Sequence, residues 1–202
     1  GTIHISKLVK KFWKNSIVIL GGNQATYTFQ ILLEEPSIDY VVRGEAELSF
    51  TEFIKQLSNP LKDNSEIDIL GVYDHNKVIN SANHNEISDQ LSDISQIPLP
   101  AYDLWDLKTV LRHFPNKSMI VMWTRGCPFK CTFCSSPQFH GRQVRKKSMN
   151  NRINELNHIV NNLGFVMVDI EDDQSILKKS EFFEIIDVIL DTNILDNAKV
   201  TF

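Results

Sequence analysis

Cys127, Cys131 and Cys134 are the only cysteines in a chain of 202 residues, and they fall within eight positions at a C-x3-C-x2-C spacing. An odd number rules out a closed set of internal disulfides, and thiols clustered this tightly serve metal binding or catalysis. Thiolates are soft ligands suited to iron–sulfur clusters, zinc and copper(I). A structural zinc site closes with four protein ligands; the fourth would here be His140, six residues beyond Cys134. A [4Fe–4S] cube usually takes four cysteines, and when held by three it keeps one iron open to a small ligand. The spacing admits both centres, the first closed and structural, the second a place for chemistry.

Other residues of chemical interest stand apart from the cysteines. Glu171-Asp172-Asp173 follows the apolar run Phe165–Ile170 and offers carboxylates to a cationic ligand or to a helix start. Residues 118–152 carry seven basic side chains and no acidic one. Such a surplus could balance a thiolate-held cluster, lie on a solvated face or meet nucleic acid. In the amino-terminal half, Gly21-Gly22 ends an apolar run and opens a helix, a turn whose backbone can approach a ligand closely. Arg43-Gly44-Glu45 repeats that arrangement after Asp39–Val42.

The segment Trp123-Thr-Arg-Gly-Cys-Pro-Phe-Lys-Cys-Thr-Phe-Cys-Ser-Ser136 resembles the cluster loop of the radical S-adenosylmethionine (SAM) enzymes, down to the aromatic Phe133 before the third cysteine. Gly141-Arg-Gln-Val-Arg-Lys-Lys-Ser148, the two glycine turns and Ile97-Pro-Leu-Pro-Ala-Tyr-Asp-Leu104 resemble the subgroup that carries a cobalamin-binding domain ahead of the radical SAM domain. The resemblance implies a [4Fe–4S] cluster on Cys127, Cys131 and Cys134, with SAM chelating the open iron through its amino and carboxylate groups. It implies SAM contacts at Phe133, Asp172 and Asp173, and cobalamin contacts at Gly21, Gly22, Gly44 and Glu45. The implied reaction is reductive cleavage of SAM to a 5′-deoxyadenosyl radical, used for methyl transfer to a carbon centre of a small-molecule substrate, with an electron donor such as flavodoxin or ferredoxin. No catalytic side chain is identified. The acidic triplet departs from the family's common Gly-Gly-Glu form, Gln24 stands where the subgroup often has histidine, and an Asp-x-His-x-x-Gly cobalt-ligand loop is absent. The competing reading is a zinc-stabilised nucleic-acid-binding module that uses the three cysteines, His140 and the basic 125–147 stretch.

The elements that must position these residues follow from periodicity. Ile5, Leu8, Val9, Phe12 and Trp13 mark an amphipathic helix; Ile17–Leu20, helix Ala25–Leu33, strand Asp39–Val42 and a helix through Phe50, Phe53, Ile54 and Leu57 follow. Alternation of this kind predicts parallel strands and an α/β fold. Residues 1–60 read as the C-terminal part of a doubly wound, Rossmann-like cobalamin-binding domain. Residues 61–117 read as a connector holding a hairpin, Ile69–Tyr73 with Val78–Asn80. Residues 118–202 read as the first βα units of a partial βα barrel: strand Met119–Trp123, a helix capped by Ser148 and stopped by Gly164, strand Phe165–Ile170, a helix through Phe182 and Ile189, and a third strand from Lys199. A start at Gly1 and an end within a strand pattern lead to the expectation of a fragment, inactive alone and binding cobalamin weakly. With 42% hydrophobic residues and a net charge of −4 the chain suits a globular core. No apolar run approaches the ~20 residues of a spanning helix, and no signal-peptide pattern is present. A cytoplasmic protein is expected, with neither membrane nor nucleic acid as partner.

Overall fold

The computed structural model describes residues 1–59, 67–80, 87–113 and 116–202. They form two compact units, Gly1–Leu91 and Ser92–Phe202, each built around its own sheet.

The first unit runs α1 (Thr2–Phe12), β1 (Ile19–Leu20), α2 (Gly22–Leu33), β2 (Tyr40–Val42), α3 (Glu47–Leu57), β3 (Val72–Tyr73) and α4 (His75–Asn80). Strand β1 pairs in parallel with β2 through Ile19↔Tyr40 and Leu20↔Val41. Successive strand residues point to opposite faces, and the core divides accordingly. Val41 and Tyr73 pack with Ala25, Phe29 and Leu33 of α2, whereas Val42 and Val72 pack with Phe53 of α3. Both faces of the short sheet are therefore covered, as a doubly wound arrangement requires.

One expectation is corrected here, and one expected helix forms with its apolar stripe exposed. The hairpin over Ile69–Tyr73 and Val78–Asn80 does not form. Val72–Tyr73 pairs antiparallel with β2 instead (Val41↔Tyr73, Val42↔Val72), making a mixed sheet. Asp74 then starts α4, its carboxylate accepting from the Lys77 amide at 2.7 Å, so the residues expected as a return strand are helical. The other difference is in α1, where Ile5, Leu8, Phe12 and Trp13 are exposed. That helix is held by polar contacts: buried Ser6 meets the Ser37 hydroxyl at 2.7 Å, Lys7 pairs with Glu35 at 2.8 Å and Lys10 with Asp39 at 2.6 Å. The expected connector, 61–117, is shared between the two units; its residues 61–66, 81–86 and 114–115 lie outside those described.

The second unit contains α5 (Leu107–His113), β4 (Ser118–Val121), β5 (Thr124–Arg125), α6 (Ser136–Phe139), β6 (Arg145–Lys146), α7 (Met149–Asn157), β7 (Met167–Ile170), α8 (Lys179–Leu190), α9 (Ile194–Asn197) and β8 (Lys199–Thr201). Its sheet is parallel throughout, in the order β4-β7-β8. Ser148 caps α7, its hydroxyl accepting from the Asn151 amide at 3.3 Å. Gly164, at φ +80°, ends the π-helical extension of α7 over His158–Asn162. Met119, Val121, Val168 and Ile170 turn one sheet face onto Leu156, Ile159, Ile185 and Ile189. The other face carries Ile120, 59% exposed, in register with Asp169 and, one strand further, Thr201.

Candidate functional site

The cysteine loop leaves the C-terminal end of β4 and is closed at its base by a two-stranded ribbon, β5 with β6 (Thr124↔Lys146, Arg125↔Arg145). A hydrogen bond of 3.2 Å from the Cys127 amide to the Gly141 carbonyl seals the ribbon's open end. Gly126 makes this possible. Its φ is +94°, and a Cβ there would stand 2.3 Å from the Gln143 carbonyl oxygen, so no other residue fits. Within the loop, the Cys134 amide donates to the Cys131 carbonyl at 3.2 Å, which sets those two cysteines on one turn. All three are free thiols, Cys127 and Cys134 half-buried and Cys131 exposed. Phe133 is 91% exposed, the largest value for any large apolar side chain among the described residues.

The acidic triplet leaves the C-terminal end of the neighbouring strand β7 and is stitched to the start of this loop. The Glu171 amide donates to the Val121 carbonyl at 2.9 Å. Asp172 Oδ1 accepts from the amides of Trp123 (2.6 Å) and Thr124 (2.8 Å). Asp173 Oδ2 accepts from the Gly126 amide at 3.0 Å and lies 4.0 Å from His140 Nε2. Burial pushes the Asp172 carboxyl above its ordinary range, opposed by the amide hydrogen bonds it accepts from Thr124 and Trp123. The triplet and the cysteine loop are thus brought together.

A buried polar network that periodicity did not reveal lies beside them. The Trp123 indole donates to Glu155 at 3.1 Å, and Lys147 Nζ donates to both oxygens of Glu155, at 2.9 and 2.8 Å. Arg152 Nε donates to the Lys147 carbonyl at 2.9 Å, and its guanidinium lies 5.6 Å from the Trp123 ring. Glu155 and Arg152 are 3% and 6% exposed; burial lowers the Arg152 value, and Asp172, Glu181 and Glu184 oppose that effect. Lys146 reaches Glu181 at 2.5 Å, and Arg145 is buried and donates to the His140 carbonyl at 2.9 Å. Much of the basic stretch is therefore spent on internal partners rather than spread as a phosphate-binding face. In the sequence this network shows only as Lys147, Arg152 and Glu155 gathered around the start of the helix capped by Ser148.

The donor set can be tested against the two centres. A single zinc ion draws its thiolates to about 2.3 Å of one point. Among the described residues no three His, Cys, Asp or Glu side chains converge in that way, and His140 stands against Asp173. In a cube each thiolate takes its own iron, so three thiols along one loop can serve a [4Fe–4S] cluster without converging on a single ion.

In the first unit, Gly21–Gly22 and Gly44–Glu45 lie at the C-terminal ends of β1 and β2 and are joined through Thr26. Its hydroxyl donates to the Gly22 carbonyl and accepts from the Gly44 amide, both at 2.9 Å. Gly22 and Gly44 have φ of +87° and +82°. Glu45 is buried. Arg43 stacks 4.0 Å from the Phe29 ring and donates through Nε to the Thr26 carbonyl at 3.0 Å. Thr26 was not among the residues singled out from sequence.

No protein-family model matches the chain. It is 33% identical over 184 residues to an uncharacterized methyltransferase of Pyrococcus horikoshii, covering 90% of this chain and 38% of that protein. It is 25% identical over 197 residues to an anaerobic magnesium-protoporphyrin IX monomethyl ester cyclase of Cereibacter sphaeroides, covering 96% of this chain and 31% of the cyclase. In fold it matches the radical SAM methyltransferase TsrM of Kitasatospora setae with tryptophan and a SAM analogue bound, at a TM-score of 0.71 and 16% identity over 98% of this chain and 38% of that one. The chain is thus similar in sequence to these two proteins and shares its fold with that radical SAM methyltransferase. The cobalamin-dependent SAM radical enzyme OxsB, with aqua-cobalamin and SAM bound, shares the fold at a TM-score of 0.60 and 20% identity over 85% of this chain and 23% of OxsB. The chain spans about a third of the length of the methyltransferase, the cyclase and TsrM. Among the described residues no helix is long and apolar enough to cross a membrane.

Proposed function

We propose that the chain is part of a cytoplasmic, cobalamin-dependent radical SAM enzyme that transfers a methyl group to a carbon centre of a small molecule. Cys127, Cys131 and Cys134 would hold a [4Fe–4S] cluster. Phe133 would lie against SAM, and the Asp172–Asp173 turn would accept a hydrogen bond from its amino group. Gly21, Gly22, Gly44 and Glu45 would line the cobalamin tail. When bound, the reduced cluster would supply the electron that splits SAM into methionine and a 5′-deoxyadenosyl radical, and the electron would come from a donor of the flavodoxin or ferredoxin kind. The chain's own residues bind and orient: the ribbon fixes the loop, and the acidic turn sets a negative oxygen beside it. A single observation carries the proposal, namely that the three-thiol loop and the acidic turn leave adjacent parallel strands at the same end and are hydrogen-bonded together. Ligand sites of parallel α/β sheets form there.

Anaerobic reconstitution followed by iron and sulfide analysis tests this reading. About four irons and four sulfides per chain are expected; one zinc and no sulfide would replace it with the closed metal site. A chain a third the length of its relatives is also proposed to bind cobalamin weakly and to turn over no substrate by itself.

A further inference from the structure

Asp169 is a carboxylate in the middle of a parallel strand, and the topology says which way its side of the sheet faces. Strands β4, β7 and β8 lie side by side in chain order. Both crossover helices pack on one face, Leu156 from α7 and Ile185 and Ile189 from α8. Parallel crossovers are right-handed almost without exception. A strand order that reverses therefore puts helices on both faces, as in a doubly wound sheet. An order that keeps one direction keeps its helices on one face and turns the other toward the inside of a βα barrel. The second unit follows the latter pattern.

Across that inward face run Ile120, Asp169 and Thr201, one from each strand and in register. Alternation sets them opposite Met119, Val168 and Val200, which join the core. Strands of such sheets are normally apolar throughout, so a carboxylate in this row needs a counterpart. The chain supplies only part of one. Thr201 Oγ1 donates to Asp169 Oδ1, and among the described residues Thr201 is its one partner. Lys199, on the same face but one row nearer the N-terminal end of the sheet, makes no ion pair with it. On the other side Ile120 offers an exposed apolar surface. We propose that Asp169 is a specificity-determining residue, which accepts through Oδ2 from the protonated amine of a substrate whose apolar body lies against Ile120, while Thr201 holds the carboxylate in orientation. At about 3.3 Å per residue, Asp169 stands roughly 7 Å along the chain from Glu171, where the acidic turn beside the thiol loop begins. A cation held there is next to the chemistry without entering it. The proposal rests on the functional reading above and names the substrate class of that site.

Two probes of one shape and different charge, benzylamine and benzyl alcohol, test this in the 202-residue chain before any iron is added. Titrations are followed through the methyl resonances of Ile120 and Thr201. Benzylamine should give saturable shifts at both methyls and bind about tenfold more tightly than benzyl alcohol, as a charge-assisted hydrogen bond implies. That advantage should shrink as salt is raised. Asp169→Asn keeps an acceptor for Thr201 and loses the charge, so it should bind the two probes equally. Thr201→Val should weaken benzylamine about threefold and leave benzyl alcohol unchanged. The proposal is overturned by equal binding of both probes to the unaltered chain, by the absence of a saturable benzylamine shift, or by an undiminished preference in Asp169→Asn. If Asp169→Asn does not fold, the salt series on the unaltered chain decides, since a preference indifferent to salt is not an ion pair. Iron uptake judges the functional reading separately. A chain that prefers benzylamine but takes up no iron would count against that reading and sustain the cation site; one that takes up iron without the preference would do the reverse.

Discussion

The two units solve one architectural problem with different chemistry. In each, two adjacent parallel strands release their connections at the same end, and a side-chain oxygen from one connection captures backbone of the other. In the first unit that oxygen is the neutral hydroxyl of Thr26, reaching the Gly44 amide; in the second it is the carboxylate of Asp172, reaching Trp123 and Thr124. The first unit then presents bare backbone, with glycines at positive φ in both turns. The second presents thiols, an exposed ring and a carboxylate. A backbone-lined turn suits a large ligand recognised by its shape and amides, whereas a thiol loop suits a soft metal centre that must be held at fixed points. The comparison teaches that the tie between neighbouring connections is common to both units and that the groups hung on it differ.

Substitutions can break the contrast, and the largest effect should come from the thiols. Serine at any one of Cys127, Cys131 or Cys134 should reduce reconstituted iron from about four per chain to near zero, measured by metal analysis, while leaving the far-UV circular dichroism unchanged. Gly126→Ala should be next. It places a Cβ against the Gln143 carbonyl at positive φ, costing on the order of 2 kcal/mol or more, seen as a lower thermal midpoint for the second unit together with poor iron uptake. Thr26→Val should cost about 1–3 kcal/mol by leaving the Gly44 amide without its acceptor. That loss should appear in the melting of the first unit, with iron uptake untouched; a drop in iron uptake would mean the two ties are not independent.

The smallest effect concerns pH. Burial raises the Asp172 carboxyl in the folded chain above its ordinary value of 3.8. The native state therefore holds more protons than the unfolded one from 3.8 up to the raised value, so stability due to this group falls as pH rises across that window. Asp172→Asn should remove that fall, and denaturant midpoints measured from pH 4 upward should show a shallower decline in the variant.

Much of this was readable from local pattern. The C-x3-C-x2-C spacing, the alternation of helix and strand, the Ser148 cap and the Gly164 stop all depend on residues a few positions apart. The failures were of two kinds. Val78–Asn80 had strand-like composition but lay after Asp74, whose side chain starts a helix, and Val72–Tyr73 found its partner in β2 rather than nearby. Tertiary pairing overrode local preference there. Thr26, Glu155 and the double bond of Asp172 were missed for another reason. Their partners are 18, 32 and 49 residues away, and periodicity carries no information about cross-links at that range. The apolar stripe of α1 shows the converse, since a clean helical period did not decide which side of the helix meets the protein.

None of the three thiols belongs to a hydrophobic core: two are half-buried and one is exposed. In zinc-dependent mini-domains the metal is the core, and the chain cannot fold before the ion arrives. Here the buried clusters of both units contain no cysteine among the described residues. Folding is therefore expected to precede delivery of metal to this loop, which far-UV circular dichroism of the metal-free chain would check. The cost of that order of assembly is an interval in which a reduced, accessible Cys131 is open to oxidation or alkylation.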